Sequence, residues 1–349
     1  MSFSCDRTAL AVAADLIIRD FLCVAPGEQV LITADACSDL QAIGALSNAA
    51  CVQKARTAVM TIPQLPFQGA LSDPFIPEPL VAALKSCDVW LDFTFPYLAG
   101  SGAHAEAMKT NRVRSLTFHD LSADGIARLF TGVDFDRLFA LQEALDGLIT
   151  GATGKQGRVT SPSGTDVSFT IGKPATRKIR RTNKPGTYTP PGSAVIYPEP
   201  PSVRGTLVID ATFHEYYTLL KSPLHMQVDG RIKEISGGGT DLTVMDRALR
   251  RAGGGEYGSI IHFSHGFHPA ARFSGDSFIE SIRTIGNNAV GLGIPWWEPG
   301  GGENHPDAVV SMQSMWIDGE QIVHDGRIVG PARLVTLERE LHSGPNGKT

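Results

Sequence analysis

A histidine and an aspartate two residues apart, His305 and Asp307, are the strongest chemical signal in this sequence. They follow a glycine-rich run, and three further histidines precede them at positions 262, 265 and 268. Two imidazoles and one carboxylate on one face of a metal leave its opposite face open. A non-haem Fe(II) centre uses this ligand set to bind an organic substrate and O₂ side by side. The pattern therefore predicts a metal enzyme.

The identity of the third ligand is left open by spacing alone. Pro306 stiffens the His-Pro-Asp segment, and residues 308–311 (AVVS) are predicted to form a strand directly after it. The three upstream histidines lie at intervals of three, but Gly266 and Pro269 indicate a strand that runs into a turn, so neighbouring histidines would point in different directions. One of them is expected to bind the metal, and the others to donate hydrogen bonds around it or to contact substrate.

The composition is that of a globular protein long enough for two domains, with 349 residues, 42% of them hydrophobic and 19% charged. A formal net charge of −5 without a dominant basic stripe argues against a nucleic-acid partner. The five cysteines form no C-x-x-C pair, which favours a reducing cytosol. We found neither a secretory signal nor an apolar run of about 18 residues, so a cytoplasmic protein without a membrane partner is expected.

Helix and strand patterns alternate in the first half of the chain. Such alternation predicts βαβ units and a parallel sheet covered on both faces, here assigned to an α/β domain of residues 1–155. Helices are predicted at 9–21, 40–55, 79–85 and 138–150, and strands at 29–33, 58–62, 89–95 and 114–118.

The second half has a different pattern, and we assign it to a β-rich metal-binding domain of residues 156–349. Four dipeptides that favour tight hairpin turns separate its apolar or alternating runs. They are Ser163-Gly164, Asp229-Gly230, Asp318-Gly319 and Asp325-Gly326. Long loops between the strands carry most of the histidines, and loops on a rigid scaffold are where sites are usually built.

Several short segments resemble the thermophilic aminopeptidase family of metallopeptidases. They are spread over most of the chain, at 26–32 (PGEQVLI), 191–195 (PGSAV), 204–210 (RGTLVID), 305–307 (HPD) and 316–326. The resemblance implies that family's fold, with an N-terminal parallel-sheet domain followed by a β-rich metal-binding domain. Those peptidases use two metals, held by glutamates, histidines and an H-x-D pair.

This sequence lacks several of the family's metal ligands. The two metal glutamates of the family fall on Ser193 and His262, and a family histidine falls on Ala289. What remains in the resemblance is a single triad of His262, His305 and Asp307. That pattern is similar to the branch containing 2,5-dihydroxypyridine 5,6-dioxygenase, a non-haem Fe(II) enzyme of nicotinate catabolism.

The resemblance to this branch implies ring opening of a dihydroxypyridine to N-formylmaleamate. Its cofactor would be Fe(II), its partners a small aromatic N-heterocycle and O₂, and a homo-oligomer is expected. His104 follows the predicted strand at 89–95 through a small-residue loop. Ligands bind beyond the carboxyl ends of parallel strands, and an imidazole titrates near neutrality. We therefore expect His104 to be the general base that takes the substrate's hydroxyl proton.

Four further residues are expected to bind substrate: Ser193, Tyr188, Arg283 and His265. Ser193 replaces a metal ligand of the related peptidases and would line the same pocket. Tyr188 and Arg283 suit an anionic ring oxygen or carboxylate, although each suits a packing role equally well. The adjacent Trp296-Trp297 pair either stacks on an aromatic substrate or forms an interface patch.

Two other functions are consistent with these residues. One is a hydrolase, either an aminopeptidase relative or an aromatic aminohydrolase, in which Zn²⁺ or Mn²⁺ activates water. Oxygen consumption separates this function from a dioxygenase, because a hydrolase consumes no O₂. The other is a binder of metal or of a small molecule that has no catalytic activity.

Overall fold

A computed structural model describes residues 7–175, 182–213, 216–298, 301 and 305–343. Contacts divide the chain into two compact units. The first comprises Met1–Gly132, Ile179–Pro190 and Asp276–Glu280, and the second comprises Val133–Lys178, Pro191–Gly275 and Ser281–Thr349. The predicted domains, 1–155 and 156–349, stay a prediction. Apart from Gly301, the predicted glycine-rich run at 300–304 lies outside the described residues.

A five-stranded parallel sheet organises the first unit, in the order β2-β1-β3-β4-β7. Its strands are β1 (Gln29–Ala34), β2 (Arg56–Thr61), β3 (Val89–Asp92), β4 (Arg114–Thr117) and β7 (Gly186–Tyr188). The helices are α1 (Arg7–Leu16), α2 (Leu40–Val52), α3 (Glu78–Ser86), α4 (Gly102–Lys109) and α5 (Ala123–Phe130), with a π-helical turn at Ile17–Phe21 and a 3₁₀ helix at Gly69–Phe75. A short helix, α8 (Phe278–Ser281), spans the boundary between the units.

Burial explains why these segments form a parallel sheet. All four residues of β3 are buried, as are five of the six residues of β1, so both faces of these strands are covered. Near-continuous apolar runs are typical of such strands. The Ser101 side chain accepts a hydrogen bond from the His104 backbone N–H and thereby caps α4. This cap fixes where α4 begins and so places His104 in its first turn.

A large antiparallel sheet organises the second unit, in the order β17-β16-β15-β5-β6-β9-β14-β13-β12-β8, with β10 paired to β9 and β11. Its first strands are β5 (Gln156–Thr160), β6 (Asp166–Thr170), β8 (Ser193–Ile196), β9 (Arg204–Phe213), β10 (Tyr217–Asp229) and β11 (Arg231–Gly237). The others are β12 (Ser259–Gly266), β13 (Asn288–Gly293), β14 (Asp307–Val310), β15 (Ser314–Ile317), β16 (Glu320–His324) and β17 (Arg327–Ile328). The helices are α6 (Phe135–Gly151), α7 (Asp241–Ala252), α9 (Ala332–His342) and a 3₁₀ turn at Pro200–Ser202.

All four predicted turn dipeptides lie between paired strands of this sheet. Gly164, Gly230, Gly319 and Gly326 have φ values of 110°, 70°, 83° and 82°. Such positive values are rarely adopted by other residues, which is why glycine occupies these positions. The turn chemistry of the sequence thus sets the pairing of successive strands.

The predicted fold class is confirmed, because a parallel-sheet α/β unit and a β-rich antiparallel unit are both present. Each of the predicted helices and strands has a counterpart in the structure, with bounds shifted by a few residues. Within the first unit, the sequence did not predict α4, α5 or β7. Within the described residues, no helix has both the length and the apolar character needed to cross a membrane.

Candidate metal centre

Three neighbouring strands bring the predicted ligands together. Gly291 on β13 pairs with His262 on β12 and also with Asp307 on β14, so the three residues form one row across the sheet. Residues in one row point their side chains to the same face. His305 precedes Asp307 by two positions and shares that face. The strand order thus explains how a histidine far away in sequence joins the His-Pro-Asp segment.

The donor atoms of these side chains converge on one point. His262 Nε2 lies 3.2 Å from His305 Nε2 and 3.4 Å from Asp307 Oδ1, and the third separation, His305 Nε2 to Asp307 Oδ1, is 3.8 Å. Ligand atoms about 2.1 Å from a metal are separated by about 3.0 Å at a right angle and about 3.4 Å at a tetrahedral angle. Two of the three separations fall within this range and the third is 0.4 Å longer, so the spacing fits three ligands on one side of a single ion.

The glycine between these ligands leaves the space that the two imidazole rings need in order to approach each other. A Cβ at Gly291 would lie 2.3 Å from His262 Nε2 and 2.8 Å from His305 Cε1. A glycine inside a strand often marks such a close approach. The Asp307 side chain is only 7% exposed, and its Oδ1 lies 3.4 Å from His262 Nε2 and 3.8 Å from His305 Nε2. A buried carboxylate beside two imidazole nitrogens suits a divalent cation, which supplies the missing positive charge.

Burial also sets the protonation of one ligand. It lowers the pKa of His305 to about 4, against the opposing effect of the Asp307 carboxylate. The ring is therefore neutral near pH 7. Neutral imidazole is the form that binds metal, because a ring nitrogen must offer its lone pair.

Side-chain hydrogen bonds hold β12 where its backbone pairing with β13 ends. The Ser264 hydroxyl accepts from the Ala289 N–H, and the Asn288 amide oxygen accepts from the Ser264 N–H, both at 2.7 Å. The Gln313 side chain donates to the Ser264 carbonyl at 2.8 Å and contacts Asn288 at the same distance. This buried network fixes the end of β12 just beyond His262 and so positions the ligand.

The other two upstream histidines lie apart from this cluster. His265 is three positions beyond His262 on β12 and so points to the opposite face of the strand. It is 1% exposed, its Nδ1 lies 3.1 Å from the Gln313 amide nitrogen, and burial lowers its pKa to about 4. His268 is fully buried, and its Nδ1 accepts from the Ala270 N–H. Strand geometry thus brings His262, and not His265, to the ligand cluster.

Three aromatic side chains lie beside the ligand histidines. The Trp296 ring is 5.4 Å from that of His305, nearly perpendicular to it, and 6.3 Å from that of His262. Tyr197 lies 6.3 Å from His262 and packs nearly perpendicular to both Trp296 and Trp297, each at 5.8 Å. One side of the cluster is therefore lined by aromatic rings.

His104 is held by hydrogen bonds within the first unit. Its Nε2 lies 2.7 Å from the Thr187 hydroxyl oxygen, and its Nδ1 accepts a long, 3.4 Å hydrogen bond from the Gly100 N–H. The ring packs against Trp90, with the two centroids 5.9 Å apart. Burial lowers the pKa of His104 to about 4, so the imidazole is neutral near pH 7.

The structure gives Tyr188, Ser193 and Arg283 well-defined packing positions. The Tyr188 side chain is 6% exposed, and its hydroxyl donates to the Lys184 carbonyl at 2.7 Å. Burial raises the pKa of this phenol. Ser193 pairs with Gly266, which lies four residues, or about 13 Å along the strand, from His262. Arg283 is 1% exposed. A substrate-binding role for these residues and for His265 stays a prediction.

Two residues of the site were missed from the sequence. Gly291 had a usable signal, because it interrupts the apolar run of β13, and a glycine inside a strand suggests close approach of a ligand or a backbone. Tyr197 had none, since its place beside His262 depends on the pairing of β8 with β12.

Fold and site together define a two-unit α/β protein with a candidate metal centre on its antiparallel sheet. The chain belongs to the 2,5-dihydroxypyridine 5,6-dioxygenase (NicX) family, whose model matches residues 20–330. It is therefore an enzyme with the ring-cleaving dioxygenase function of that family, which belongs to aromatic catabolism. Such a function implies a metal cofactor, a small aromatic substrate and O₂. Nothing observed favours the hydrolase alternative.

Several solved structures share the fold, and two of them are described by their similarity to this chain. The 2,5-dihydroxypyridine dioxygenase from Pseudomonas putida KT2440 has a TM-score of 0.72 and 18% identity, over 94% of this chain and 99% of that one. Wild-type AmpT from Thermus thermophilus has a TM-score of 0.63 and 15% identity, over 93% of this chain and 100% of that one. A comparison with curated protein sequences gave no match. The resemblance inferred from the sequence motifs is confirmed by the family match.

Proposed function

We propose that this enzyme is an Fe(II)-dependent 2,5-dihydroxypyridine 5,6-dioxygenase that opens the ring to N-formylmaleamate. The convergence of His262, His305 and Asp307 carries the proposal for the metal, and the family match supports the substrate. Two imidazoles and one carboxylate with open positions are the ligand set of non-haem Fe(II) oxygenases. Bound there, Fe(II) would bring the substrate and O₂ together and carry electrons between them.

The three ligand residues would each donate one atom to the ion. His262 and His305 each offer an Nε2 lone pair, and Asp307 offers a carboxylate oxygen whose charge offsets part of the ion's charge. Gly291 keeps the space between them clear. The Ser264–Asn288 hydrogen bond keeps β12 in place, so the backbone that carries His262 is already positioned for an ion.

His104 is proposed to accept the substrate's hydroxyl proton. The N–H of Gly100 points at Nδ1, which assigns the lone pair to Nδ1 and the ring proton to Nε2, where it is donated to Thr187. The 3.4 Å contact from Gly100 is weak and is readily replaced by a substrate hydroxyl. Thr187 would then stabilise the imidazolium that forms, and the anionic substrate oxygen would raise the pKa of His104 above its low resting value.

Oxygen uptake and iron content test the proposal together. The purified chain is reconstituted with Fe(II) under anaerobic conditions, freed of excess metal, and mixed with 2,5-dihydroxypyridine in an oxygen electrode. We expect one O₂ consumed for each ring opened, with N-formylmaleamate identified by mass spectrometry. His305→Ala should lose both iron and oxygen uptake, whereas His225→Ala, at an exposed position on β10, should keep both. An iron-loaded enzyme that consumes no O₂ with this substrate would contradict the proposal.

The remaining predicted contacts can be separated from packing residues by kinetics. Replacing Ser193, Tyr188, Arg283 or His265 should raise KM if the side chain binds substrate. A lower melting temperature with unchanged KM would instead mark a packing residue, which is the alternative for the buried Tyr188, Arg283 and His265. A cytoplasmic homo-oligomer also stays a prediction, and light scattering after size exclusion measures the oligomeric state.

A further inference from the structure

The loop that follows β13 carries two adjacent tryptophans with large exposed surfaces. Trp296 is 38% exposed and Trp297 is 45% exposed, and their rings meet nearly perpendicular with centroids 5.0 Å apart. Tryptophan is a large apolar side chain that folding normally buries to a high degree. Two such rings exposed side by side indicate a surface that receives something apolar.

The position of the pair distinguishes a ligand surface from a general interface patch. Trp296 lies beside the rings of both proposed histidine ligands, with ring centroids 5.4 Å from His305 and 6.3 Å from His262. Tyr197 supports both tryptophans from behind and is itself only 6% exposed. Contact with the ligand rings and support by a buried aromatic are not expected of a general interface patch. Both are expected of a surface that binds substrate beside the ion.

Ring stacking sets the chemistry of what this surface takes. Aromatic pairs attract each other at centroid separations of about 4.5–7 Å in offset-stacked or edge-to-face arrangements. Trp296 already lies within this range of both ligand rings, so its indole is placed beside the point where a flat ring would bind to an ion held by them. A saturated ring of equal size lacks the π-face and gains only apolar contact.

We infer that Trp296 is a substrate-contacting residue that selects flat aromatic rings, with Trp297 and Tyr197 holding its indole in place. The inference rests on the proposed function in one respect, since it assumes that the substrate binds at the His262–His305–Asp307 cluster. It does not depend on which hydroxylated ring is the natural substrate.

Equilibrium binding of two matched probes tests the inference without turnover. The Fe(II)-loaded enzyme is titrated anaerobically with 3-fluorophenol and with 3-fluorocyclohexanol, and binding is followed by ¹⁹F NMR line broadening. These probes carry the same substituents and differ in the flatness of the ring and in the acidity of the hydroxyl, so the change in preference on replacing Trp296, and not the preference itself, measures stacking. We expect the wild-type enzyme to bind the aromatic probe about tenfold more tightly, and Trp296→Leu to lose most of this preference. Trp296→Phe should keep much of it.

Trp316→Leu is the matched control, because Trp316 lies on β15 under the Arg158 guanidinium. It should keep the full preference for the aromatic probe. The inference is overturned if the wild-type enzyme binds neither probe or binds both equally, or if Trp296→Leu retains the preference. A changed sedimentation coefficient in Trp296→Leu with unchanged binding of both probes would also overturn it and would make the pair a subunit contact. Failure of the proposed function is a separate outcome, because oxygen uptake with 2,5-dihydroxypyridine measures it.

Discussion

Replacing Gly291 by alanine is the most direct test of the metal centre, because the change adds one methyl group and leaves all three ligand residues unchanged. The new Cβ would lie 2.3 Å from His262 Nε2, 2.4 Å from His262 Cδ2 and 2.8 Å from His305 Cε1. Atoms in van der Waals contact are about 3.5–4.0 Å apart. The His262 ring must therefore move by more than about 1 Å.

A displacement of that size is large compared with what a metal bond tolerates. Ligand distances in real sites hold to within about 0.2 Å of their usual values. Even changes in the residues that only orient a ligand weaken metal binding by about 10–100-fold. We therefore expect Gly291→Ala to bind Fe(II) at least about 100-fold more weakly, a loss of about 3 kcal/mol in binding free energy.

The assay is iron per chain, measured by elemental analysis after anaerobic reconstitution and gel filtration, together with the rise in melting temperature on adding metal. Gly147→Ala is the matched control, since a Cβ at this position on α6 meets nothing within 4 Å. It should bind iron normally and gain about 0.5–1 kcal/mol of stability from its better helix propensity. Wild-type iron content and an unchanged thermal shift in Gly291→Ala would refute the geometry described for the site.

Three further predictions concern charge and protonation. Asp307→Asn should lose iron retention, because the ion would keep two neutral ligands without a negative one, and elemental analysis checks this. Thr187→Val should lower kcat/KM about tenfold and shift its pH profile at unchanged iron content, because the imidazolium of His104 would lose its hydrogen-bond partner. Burial raises the pKa of Asp92 to about 6, so its carboxyl contributes stability that is fully present below about pH 4 and is lost as the pH rises through about 6. Asp92→Asn should remove this dependence, which amounts to about 3 kcal/mol in total. About 2 kcal/mol of it falls between pH 4.5 and pH 7.5, where urea unfolding of the metal-free protein measures it. An equal pH dependence in the two proteins would contradict the raised pKa.

The sequence predicts the parts of the fold that depend on local patterns. The alternation of helices and strands predicts the parallel sheet, and turn dipeptides such as Asp229-Gly230 predict the hairpins. Both signals depend on a few neighbouring residues, so they predict local structure without knowledge of the tertiary structure. Strand β7 was not predicted, because its three residues join the parallel sheet beside β4 only after a long excursion of the chain.

The candidate site could be predicted as far as its local motif. His305 and Asp307 share one short segment, so their proximity is fixed by the chain itself. The choice of His262 over His265 depends on which side chains of β12 share a sheet face with Asp307. Only the pairing of the three strands β12, β13 and β14 determines this. The position of Ser193, by contrast, was inferred by analogy with a metal ligand, and the pairing of β8 places it opposite Gly266.

The row formed by His262, Gly291 and Asp307 has a mechanical consequence. β12 and β14 share no backbone hydrogen bonds, because β13 lies between them. An ion bound by His262 on β12 and by Asp307 on β14 would crosslink these two strands across β13. Loss of the ion would then remove a constraint on β12, β13 and β14 together. We expect amide hydrogen exchange along β13 to become faster before it changes in the rest of the sheet.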